Sequence, residues 1–325
     1  MREMTYTAAA LEGLTEEMTR DPMTFVVGEG IGVRGGNFGT TAGLFERFGP
    51  ARLRDTPITE RGFTGLCTGA AMTGARPIVD FMFIDFGLDA LGELLNQTSK
   101  IQYMSDGRLT MPIVLRGCIG VGNSAATHHS GNYYSIFSHF PGFRVVVPTT
   151  PYDAKGLLKT AIRSNDPVLF MEHRSVLNLK GQVPEEEYLI PFGEARIARE
   201  GRDATVVAIG GMVHRTLAAC DALAKEGRSI EVFDPRTLAP LDMVCILASV
   251  YKTGRLLVVD EDYGPCGVAA EIGMQVMERG FDDLDAPVAR LTGAQAPVPY
   301  SPSLEAAITP NERSIAQAIR ELLAA

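Results

Sequence analysis

The sequence predicts an α/β protein of two domains, each built on a mainly parallel sheet. Short apolar runs alternate with segments of helical periodicity over almost the whole chain, and about 25 irregular residues interrupt this alternation near its middle. The chain has 325 residues, 46% of them hydrophobic, which is enough for two cores. Because strands that alternate with helices form parallel sheets covered on both faces, we expect one such sheet on each side of the irregular segment.

The first domain is predicted to span residues 1–178. Its strands are predicted in the apolar runs "TFVVGEG", "PIVDFMFIDF", "MPIVLRGCIG", "FRVVVPTT" and "PVLFMEHR". Helices are predicted in "GLDALGELLNQTSKIQYM", whose leucines recur at helical spacing, and in "PYDAKGLLKTAIRSN", which carries Pro151 and Asp153 in its first turn. A further helix, in "RDTPITERGFTGLCTGAAMTGARP", has small residues at near-helical spacing, which would let it pack closely on another backbone.

Residues 179–201 are predicted to form a linker, because they contain Gly, Pro and an acidic run but no sustained period. The alternation then resumes in a second domain, residues 202–325. Its strands are predicted in "DATVVAIGG", "SIEVFDP", "RLLVVDED" and "APVARLTG". Its helices are predicted in "MVHRTLAACDALAKEG", "LDMVCILASVYKTG", "GVAAEIGMQVMERGF" and "NERSIAQAIRELLAA".

Charge and composition exclude several classes of function. The net charge of −9 leaves no excess of Lys and Arg to neutralise phosphates, so a nucleic-acid partner is not expected. The five cysteines form no C-x-x-C pair, which argues against a zinc site or a disulfide framework and favours a reducing compartment. Neither a membrane span of about 18 apolar residues nor an apolar signal core is present, so we expect a cytoplasmic protein without a membrane partner.

The segment "FVVGEGIGVRGG" contains a G-x-G-x-x-G pattern at Gly30, Gly32 and Gly35. A dinucleotide-binding loop of this kind needs a helix that begins inside the motif, so that its amides meet the pyrophosphate. The glycine-rich sequence that follows predicts no helix at Gly32, and no P-loop occurs elsewhere. The hypothesis of an NAD-dependent dehydrogenase therefore rests on these glycines alone and is not favoured.

Two stretches carry candidate catalytic side chains. Glu60 stands at the start of the small-residue helix, where a helix N-terminus favours an ionised carboxylate, although the same position also suits a simple cap. The loop "GCIGVGNSAATHHSGNYY" holds two of the five histidines, His128 and His129, after a predicted strand. Polar histidines on such a loop are functional candidates.

The chain resembles the β subunit of the thiamine-diphosphate-dependent first component of 2-oxoacid dehydrogenase complexes, in the transketolase-like superfamily. The resemblance covers essentially the whole chain. Collinear segments carry it, among them "FGPARLRDTPITE", "GARPIVDFMFIDF", "NQTSKIQYMSDG", "HFPGFRVVVPTTPYDAKGLLKTAIR" and "APVPYSPSLE". It implies a pyrimidine-binding domain followed by a transketolase C-terminal domain, and an oxidoreductase that decarboxylates pyruvate or a branched-chain 2-oxo acid and passes the acyl group to lipoamide.

The resemblance also implies roles for individual residues. Glu60 matches the glutamate that hydrogen-bonds N1′ of the cofactor aminopyrimidine, and His129 matches an active-site histidine that orients substrate and assists acyl transfer. Glu29 matches an acid that, with Glu60 and an acid near Asp89, lines a polar channel between paired active sites, and a simple loop acceptor is the alternative. The residues that match the packing around the aminopyrimidine are Ile58, Met82 and Phe86.

The other half of the cofactor site is missing from the sequence. Enzymes of this superfamily bind Mg²⁺ and the diphosphate with G-D-G followed by an Asn about thirty residues later, and no G-D-G occurs here. The resemblance therefore implies a separate α subunit that holds Mg²⁺, an α2β2 heterotetramer, and a lipoyl acyltransferase core as a further partner. A monovalent cation such as K⁺ is implied at Ile113, Ala161, Ile162 and Asp166, although Ser164 replaces a common acid there.

The histidine loop departs from the family pattern, because Gly131 stands where Gln is common and Tyr133 and Tyr134 follow. These changes leave the substrate open. The alternatives are an acetoin dehydrogenase β subunit, a two-subunit carboligase or transketolase-like enzyme that does not use lipoamide, and a catalytically silent partner of the α subunit.

Overall fold

The computed structural model describes residues 1–325, which form two compact units. The first unit comprises Met1–Ile119 and Ile136–Phe192, and the second comprises Gly120–Ser135 and Gly193–Ala325. The segment 120–135 thus leaves the first half of the chain and packs with the second unit. The linear boundaries at residues 178 and 201 stay a prediction.

The first unit contains strands and helices in alternation. Its strands are β1 (Arg2–Thr5), β2 (Thr24–Gly28), β3 (Leu53–Asp55), β4 (Arg76–Phe83), β5 (Val114–Ile119), β6 (Arg144–Val146), β7 (Val168–His173) and β8 (Lys180–Val183). Its helices are α1 (Tyr6–Arg20), α2 (Leu44–Phe48), α3 (Glu60–Met72), α4 (Leu91–Glu93), α5 (Ile101–Met104) and α7 (Pro151–Arg163), and α6 (Tyr134–His139) holds residues of both units.

The main sheet of the first unit has the strand order β6-β7-β5-β4-β2-β3, and every adjacent pair is parallel. Strands β5 and β7 are buried along their whole length, as expected for a parallel sheet covered on both faces. The mainly parallel α/β prediction is therefore confirmed for this unit. A small antiparallel pair of β1 and β8 lies outside the main sheet.

Helices α1 and α7 pack against each other, and a partly buried charge cluster joins them. Thr150 caps α7 by accepting the Asp153 N–H at 3.1 Å, and Pro151 occupies its first turn. The buried Lys155 and Lys159 ammonium groups donate to the Glu16 carboxylate of α1 at 2.7 and 2.5 Å. The sequence predicted α7 but no element before residue 24, so β1 and α1 are additions that the structure makes.

The second unit has a five-stranded sheet of order β14-β13-β10-β11-β9. Its pairs are parallel except for β9, which runs antiparallel to β11. Its strands are β9 (Arg196–Arg199), β10 (Ala204–Ala208), β11 (Ile230–Asp234), β12 (Thr237–Ala239), β13 (Leu256–Tyr263) and β14 (Ala289–Gly293). Its helices are α8 (Met212–Ala224), α9 (Met243–Thr253), α10 (Val268–Gly280), α11 (Pro302–Ile308) and α12 (Glu312–Ala324).

Two predicted elements differ in the structure. The strand predicted through "PIVDFMFIDF" ends at Phe83, after Met82 adopts a left-handed backbone with φ of 67°. The single helix predicted beyond it is divided into a 3₁₀ segment (Ile84–Ala90), α4, a π turn (Leu94–Thr98) and α5. Helical spacing of leucines does not distinguish these tighter and wider turns from a regular helix.

Candidate functional site

The carboxyl ends of β3, β2 and β4 lie side by side in the first unit. In the register of these strands, Gly28 at the end of β2 pairs with Asp55 of β3 and Asp80 of β4. Glu29 follows β2 directly, Glu60 follows β3 after four residues, and Met82 lies at the end of β4. Ligands of open parallel sheets bind at this edge, so the fold brings three predicted site residues to one place.

Gly28 allows two backbones to approach closely at this edge. A Cβ atom added at Gly28 would lie 2.4 Å from the Asp80 carbonyl oxygen. The Gly28 carbonyl also accepts the Thr56 N–H at 3.1 Å, which ties the chain leading to α3 to the end of β2. Gly28 of "GEGIG" thus serves backbone packing. The first helix after β2 is α2, which begins at Leu44, so no helix begins at Gly32. The glycine motif therefore lacks the helix N-terminus that a dinucleotide-binding loop needs.

Glu60 is the first residue of α3, and its side chain is 8% exposed. Its carboxylate forms no ion pair and accepts no hydrogen bond from the chain, and the preceding Thr59 makes no side-chain cap. A buried carboxylate without a hydrogen-bond donor is costly, even where a helix N-terminus favours its charge. The position therefore suits a donor from outside the chain, and a protonated ring nitrogen is such a donor.

Glu29 lies near Glu60 and responds to its charge. Burial raises the pKa of the Glu29 carboxyl, and the negative charge of Glu60 raises it further. Asp89, the third acid in the predicted channel, is exposed in the 3₁₀ segment and is not among the groups that raise the pKa of Glu29.

Met82 is held in its left-handed conformation by Asp80. The Met82 N–H donates to Asp80 Oδ1 at 2.8 Å, and Asp80 Oδ2 accepts the Thr40 hydroxyl at 3.1 Å. The Met82 Sδ atom contacts the Asn37 amide. A positive φ is uncommon for a residue with a Cβ and persists only where surrounding contacts impose it. The contacts with Asp80 and Asn37 therefore fix the orientation of the Met82 side chain.

A buried ion pair lies behind Asp80. Arg116 of β5 and Glu172 of β7 are 1% and 2% exposed and form a two-point contact, one bond of which measures 2.9 Å. Burial alone would lower the pKa of Arg116, but the charge of Glu172, with a smaller contribution from Asp80, holds it above its ordinary value. Sequence reasoning did not select Asp80, Arg116 or Glu172. The signal was a charged residue inside each of three apolar strand sequences.

The aromatic and aliphatic candidates occupy the rim of the same edge. Phe86 meets Phe83 edge to face, with ring centroids 6.0 Å apart. Ile58 is 82% exposed, two residues before Glu60.

His129 belongs to the second unit, whereas Glu29, Ile58, Glu60, Met82 and Phe86 belong to the first. It ends a single 3₁₀ turn, Thr127–His129, and is partly buried, while His128 is exposed. The loop contains Ala126 at φ of 60° and ψ of −165°, a region that residues other than glycine rarely adopt. The structure does not group His129 with the other five residues within one unit.

The four positions predicted to bind a monovalent cation already have protein partners. The carbonyls of Ile113, Ala161 and Ile162 accept from Val168, Ser164 and Arg76 at 2.9, 3.2 and 3.0 Å, and the Asp166 carboxylate pairs with Arg144 at 2.8 Å. Because a carbonyl oxygen has a second lone pair, the cation site stays a prediction.

No group of three or more His, Cys, Asp or Glu side chains in the chain is arranged to hold a metal ion. None of the helices combines the length and the apolar character that a membrane crossing requires.

Comparison with known proteins identifies both domains. Residues 2–180 match the family model described as Transketolase, pyrimidine binding domain, and residues 193–315 match Transketolase, C-terminal domain. The fold also resembles a solved structure described as a split gene transketolase, inactive beta4 tetramer, with a TM-score of 0.80, 18% identity and coverage of 99% of this chain and 98% of the other. The chain is therefore a transketolase-like protein with its two domains in the predicted order.

Closer relatives define the family. The chain is 44% identical to the acetoin:2,6-dichlorophenolindophenol oxidoreductase subunit beta of Cupriavidus necator, covering 99% of this chain and 98% of the relative. It is 43% identical to the 2-oxoisovalerate dehydrogenase subunit beta of Bacillus subtilis, covering 99% of each. It is 42% identical to the pyruvate dehydrogenase E1 component subunit beta of Rhizobium meliloti, covering 98% of this chain and 70% of the relative. The chain belongs to the family of E1 β subunits of thiamine-diphosphate-dependent 2-oxoacid and acetoin dehydrogenases.

Proposed function

We propose that this chain is the β subunit of a 2-oxoacid dehydrogenase first component, which decarboxylates pyruvate or a branched-chain 2-oxo acid and passes the acyl group to lipoamide. The observation that carries the proposal is Glu60, a buried carboxylate at the N-terminus of α3 with no donor from its own chain. Full-length similarity to β subunits of pyruvate and 2-oxoisovalerate dehydrogenases supports it.

The chain contributes the aminopyrimidine half of the site in this proposal. Thiamine diphosphate, when bound, would supply the electron sink that decarboxylation of a 2-oxo acid requires. Glu60 would hold a proton at the ring nitrogen N1′, and Glu29, whose pKa is raised by burial and by the Glu60 charge, lies nearby as a second acid. Ile58, Met82 and Phe86 form the apolar wall beside the ring.

His129 would orient the substrate and assist the reductive transfer of the acyl group to lipoamide. Histidine suits this role because its ordinary pKa lies near neutral pH. Its place on a partly buried turn, with Ser130 and Asn132 buried beside it, restricts the positions that the imidazole reaches.

The diphosphate half of the site belongs to a partner in this proposal. The chain contains no G-D-G segment, so an α subunit holds the diphosphate and Mg²⁺ within an α2β2 heterotetramer. A lipoyl acyltransferase core receives the acyl group. K⁺ at the Ile113, Ala161, Ile162 and Asp166 carbonyl positions, and a cytoplasmic location, are further parts of the proposal.

The test is an assay of the chain co-expressed with its α partner. We expect reduction of dichlorophenolindophenol that depends on thiamine diphosphate and a 2-oxo acid, and acylation of a lipoyl domain by the same complex. Glu60→Gln should lower both rates by at least about 100-fold, within the range for loss of a general acid–base group. The matched control is Glu46→Gln, an exposed glutamate in the first turn of α2.

A panel of pyruvate, branched-chain 2-oxo acids and acetoin distinguishes the substrates, because the relatives differ in this respect. If the complex turns over acetoin alone, acetoin replaces the 2-oxo acid as the proposed substrate. Carboligation without acylation of the lipoyl domain would contradict the lipoamide step.

A further inference from the structure

The loop that carries His129, residues 120–135, is anchored to the carboxyl end of β13. At its first end, Glu261 Oε2 accepts the Val121 N–H at 2.7 Å. The Gly120 N–H also donates to the Gly131 carbonyl at 3.3 Å, which closes the loop on itself. We call residues 120–135 the histidine loop.

The other end of the histidine loop is bound by the two neighbours of Glu261. Asp260 Oδ1 accepts the Tyr134 hydroxyl, and Asp262 Oδ2 accepts the Ser135 hydroxyl at 2.8 Å. The Ser135 oxygen in turn accepts the Val268 N–H at 3.3 Å, at the start of α10. Three successive carboxylates of one strand therefore hold both ends of the loop.

The histidine loop needs such an anchor because its backbone is strained. Asn123, Ser124, Ala126 and Tyr133 all have positive φ, with values of 57°, 53°, 60° and 53°. Each such residue costs on the order of 1 to 3 kcal/mol when its conformation is sparsely populated, and it persists only where surrounding contacts impose it. A further contact, from the Thr127 hydroxyl to the Val298 carbonyl at 2.9 Å, holds the turn that ends at His129.

The anchor is also electrostatically costly. Asp260, Glu261 and Asp262 are 0%, 5% and 6% exposed, and neither Asp260 nor Asp262 forms an ion pair. Burying carboxylates side by side does not favour stability, and a well-packed apolar pair would serve a purely structural role better. This cost indicates that the three carboxylates are present to bind the histidine loop.

We infer that Asp260, Glu261 and Asp262 are positioning residues that fix the histidine loop, and through it His129, for acyl transfer. The inference rests on the role proposed above for His129. The three carboxylates act through hydrogen bonds to the loop and do not touch the substrate, so they determine where the imidazole stands.

The protonation state of Asp260 should make the anchoring of the histidine loop depend on pH. Burial raises the pKa of Asp260 to about 7, and the charge of Asp262 contributes to the increase, whereas the Tyr134 hydrogen bond opposes it. The titratable groups that face Asp260 are Tyr134, Glu261 and Asp262. Because burial is the main cause of the raised pKa, ionisation of Asp260 above neutral pH should favour opening of the loop end near Tyr134, which would return this charge to water.

The experiment uses the complex of this chain with its α partner and compares the natural chain with Tyr134→Phe and Ser135→Ala, alone and combined. Tyr134→Phe removes only the hydroxyl that donates to Asp260, whereas Ser135→Ala removes the donor to Asp262 and also the acceptor of the Val268 N–H. We expect faster amide hydrogen exchange in peptides covering residues 120–135. We also expect a loss of about 10-fold in the rate constant for lipoyl-domain acylation, with less than a 2-fold change in dichlorophenolindophenol reduction. Tyr300→Phe and Ser303→Ala, at exposed positions, are the matched controls.

A conservative variant separates positioning from folding. Asp260→Asn keeps an oxygen acceptor for Tyr134 but cannot ionise, so it should preserve acylation and abolish its decline above about pH 7. Asp260→Ala should lose acylation at every pH. Unchanged exchange and unchanged acylation in the hydroxyl variants would overturn the inference, as would faster exchange with full acylation.

Failure of the proposed function gives a different result. A natural complex that shows no thiamine-dependent turnover contradicts the proposed function itself. Hydrogen exchange then still tests the anchor, and unchanged exchange in Tyr134→Phe and Ser135→Ala would overturn it independently. A natural complex that is active and is impaired by His129→Gln, but not by the hydroxyl variants, contradicts only the positioning role.

Discussion

Glu29 and Glu60 interact across the carboxyl ends of two neighbouring strands, because the charge of Glu60 adds to burial in raising the pKa of Glu29. Glu29 directly follows β2, and Glu60 begins the helix after β3, which pairs with β2. The adjacency arises from the parallel register rather than from sequence distance.

Glu29→Gln tests this relationship through the pH dependence of stability. The pKa of Glu29 in the folded chain lies above its ordinary value of 4.5, so the folded state keeps a proton that the unfolded state has lost between the two values. Glu29 therefore reduces stability progressively as pH rises through that interval, and the full cost is present above the folded pKa. We expect Glu29→Gln to match the natural chain below pH 4 and to be more stable at pH 7.

Chemical denaturation between pH 4 and 8 measures the effect. The control is Glu46→Gln, which changes an exposed glutamate. Stability curves of the Glu29→Gln and natural chains that run parallel at all pH values would contradict the interaction.

Asp80→Ala should weaken cofactor binding through Met82. Without Asp80 Oδ1, the Met82 N–H loses its acceptor and the left-handed conformation loses its support. Leaving a buried donor unpaired costs about 1 to 3 kcal/mol, so we expect a comparable loss of stability and a higher dissociation constant for thiamine diphosphate in the complex.

Asp80→Asn keeps an oxygen at Oδ1 and should retain more of the affinity. Calorimetric titration of thiamine diphosphate into each complex measures the constants. Equal affinity of Asp80→Ala and the natural complex would show that the Met82 conformation does not contribute to the site.

Breaking the Arg116–Glu172 pair should destabilise the first unit strongly. Both side chains are nearly fully buried, so Glu172→Gln leaves the Arg116 charge uncompensated. Removal of one partner of a buried pair costs about 3 to 5 kcal/mol. The double variant Arg116→Met with Glu172→Leu should recover most of that loss, because neither member of the pair is then left as an unpaired buried charge.

Urea denaturation of Arg116→Met, Glu172→Leu and the double variant gives the coupling energy. The exposed pair of Arg320 and Glu226 provides the control, since Glu226→Gln there should leave stability nearly unchanged. A double variant no more stable than Glu172→Gln alone would contradict the electrostatic explanation.

Asp260→Asn should remove a pH dependence from the second unit. The pKa of Asp260 rises from 3.8 to about 7 on folding, mainly through burial. Between these values the folded state retains a proton that the unfolded state has released, so stability falls by about 1.4 kcal/mol per pH unit and then levels off. The neutral amide should abolish this decline, leaving the variant similar to the natural chain at pH 4 and more stable at pH 8.

Thermal unfolding at a series of pH values measures the difference, with Asp282→Asn at an exposed position as the control. A constant offset between Asp260→Asn and the natural chain across this range would contradict the raised pKa.

The fold class could be predicted from the sequence because strand and helix periods are local signals. Alternation predicted two parallel sheets, and the collinear segments indicated both transketolase-type domains, which the two family models match. Position in the chain also placed Glu60 at a helix start, as the structure shows. The site roles of Glu60, His129 and their neighbours stay predictions.

The supporting network could not be predicted, because it depends on residues that only the fold brings together. Arg116 and Glu172 are 56 positions apart, and Tyr134 and Asp260 are 126 apart. The turn at Met82 could not be predicted for a related reason. It is stabilised by a hydrogen bond to Asp80, and no glycine or proline marks it in the sequence. The only sequence signal of this network was the presence of charged residues inside apolar strands. That signal does not show which residue each of them pairs with.

The most direct measurement is a crystal structure of the complex of this chain and its α partner with thiamine diphosphate bound. We predict that a Glu60 carboxylate oxygen lies about 2.7 to 3.0 Å from N1′ of the aminopyrimidine, with the diphosphate and Mg²⁺ bound by the α subunit. A Glu60 side chain beyond hydrogen-bond distance of the ring, or a cofactor bound entirely within this chain, would contradict the account.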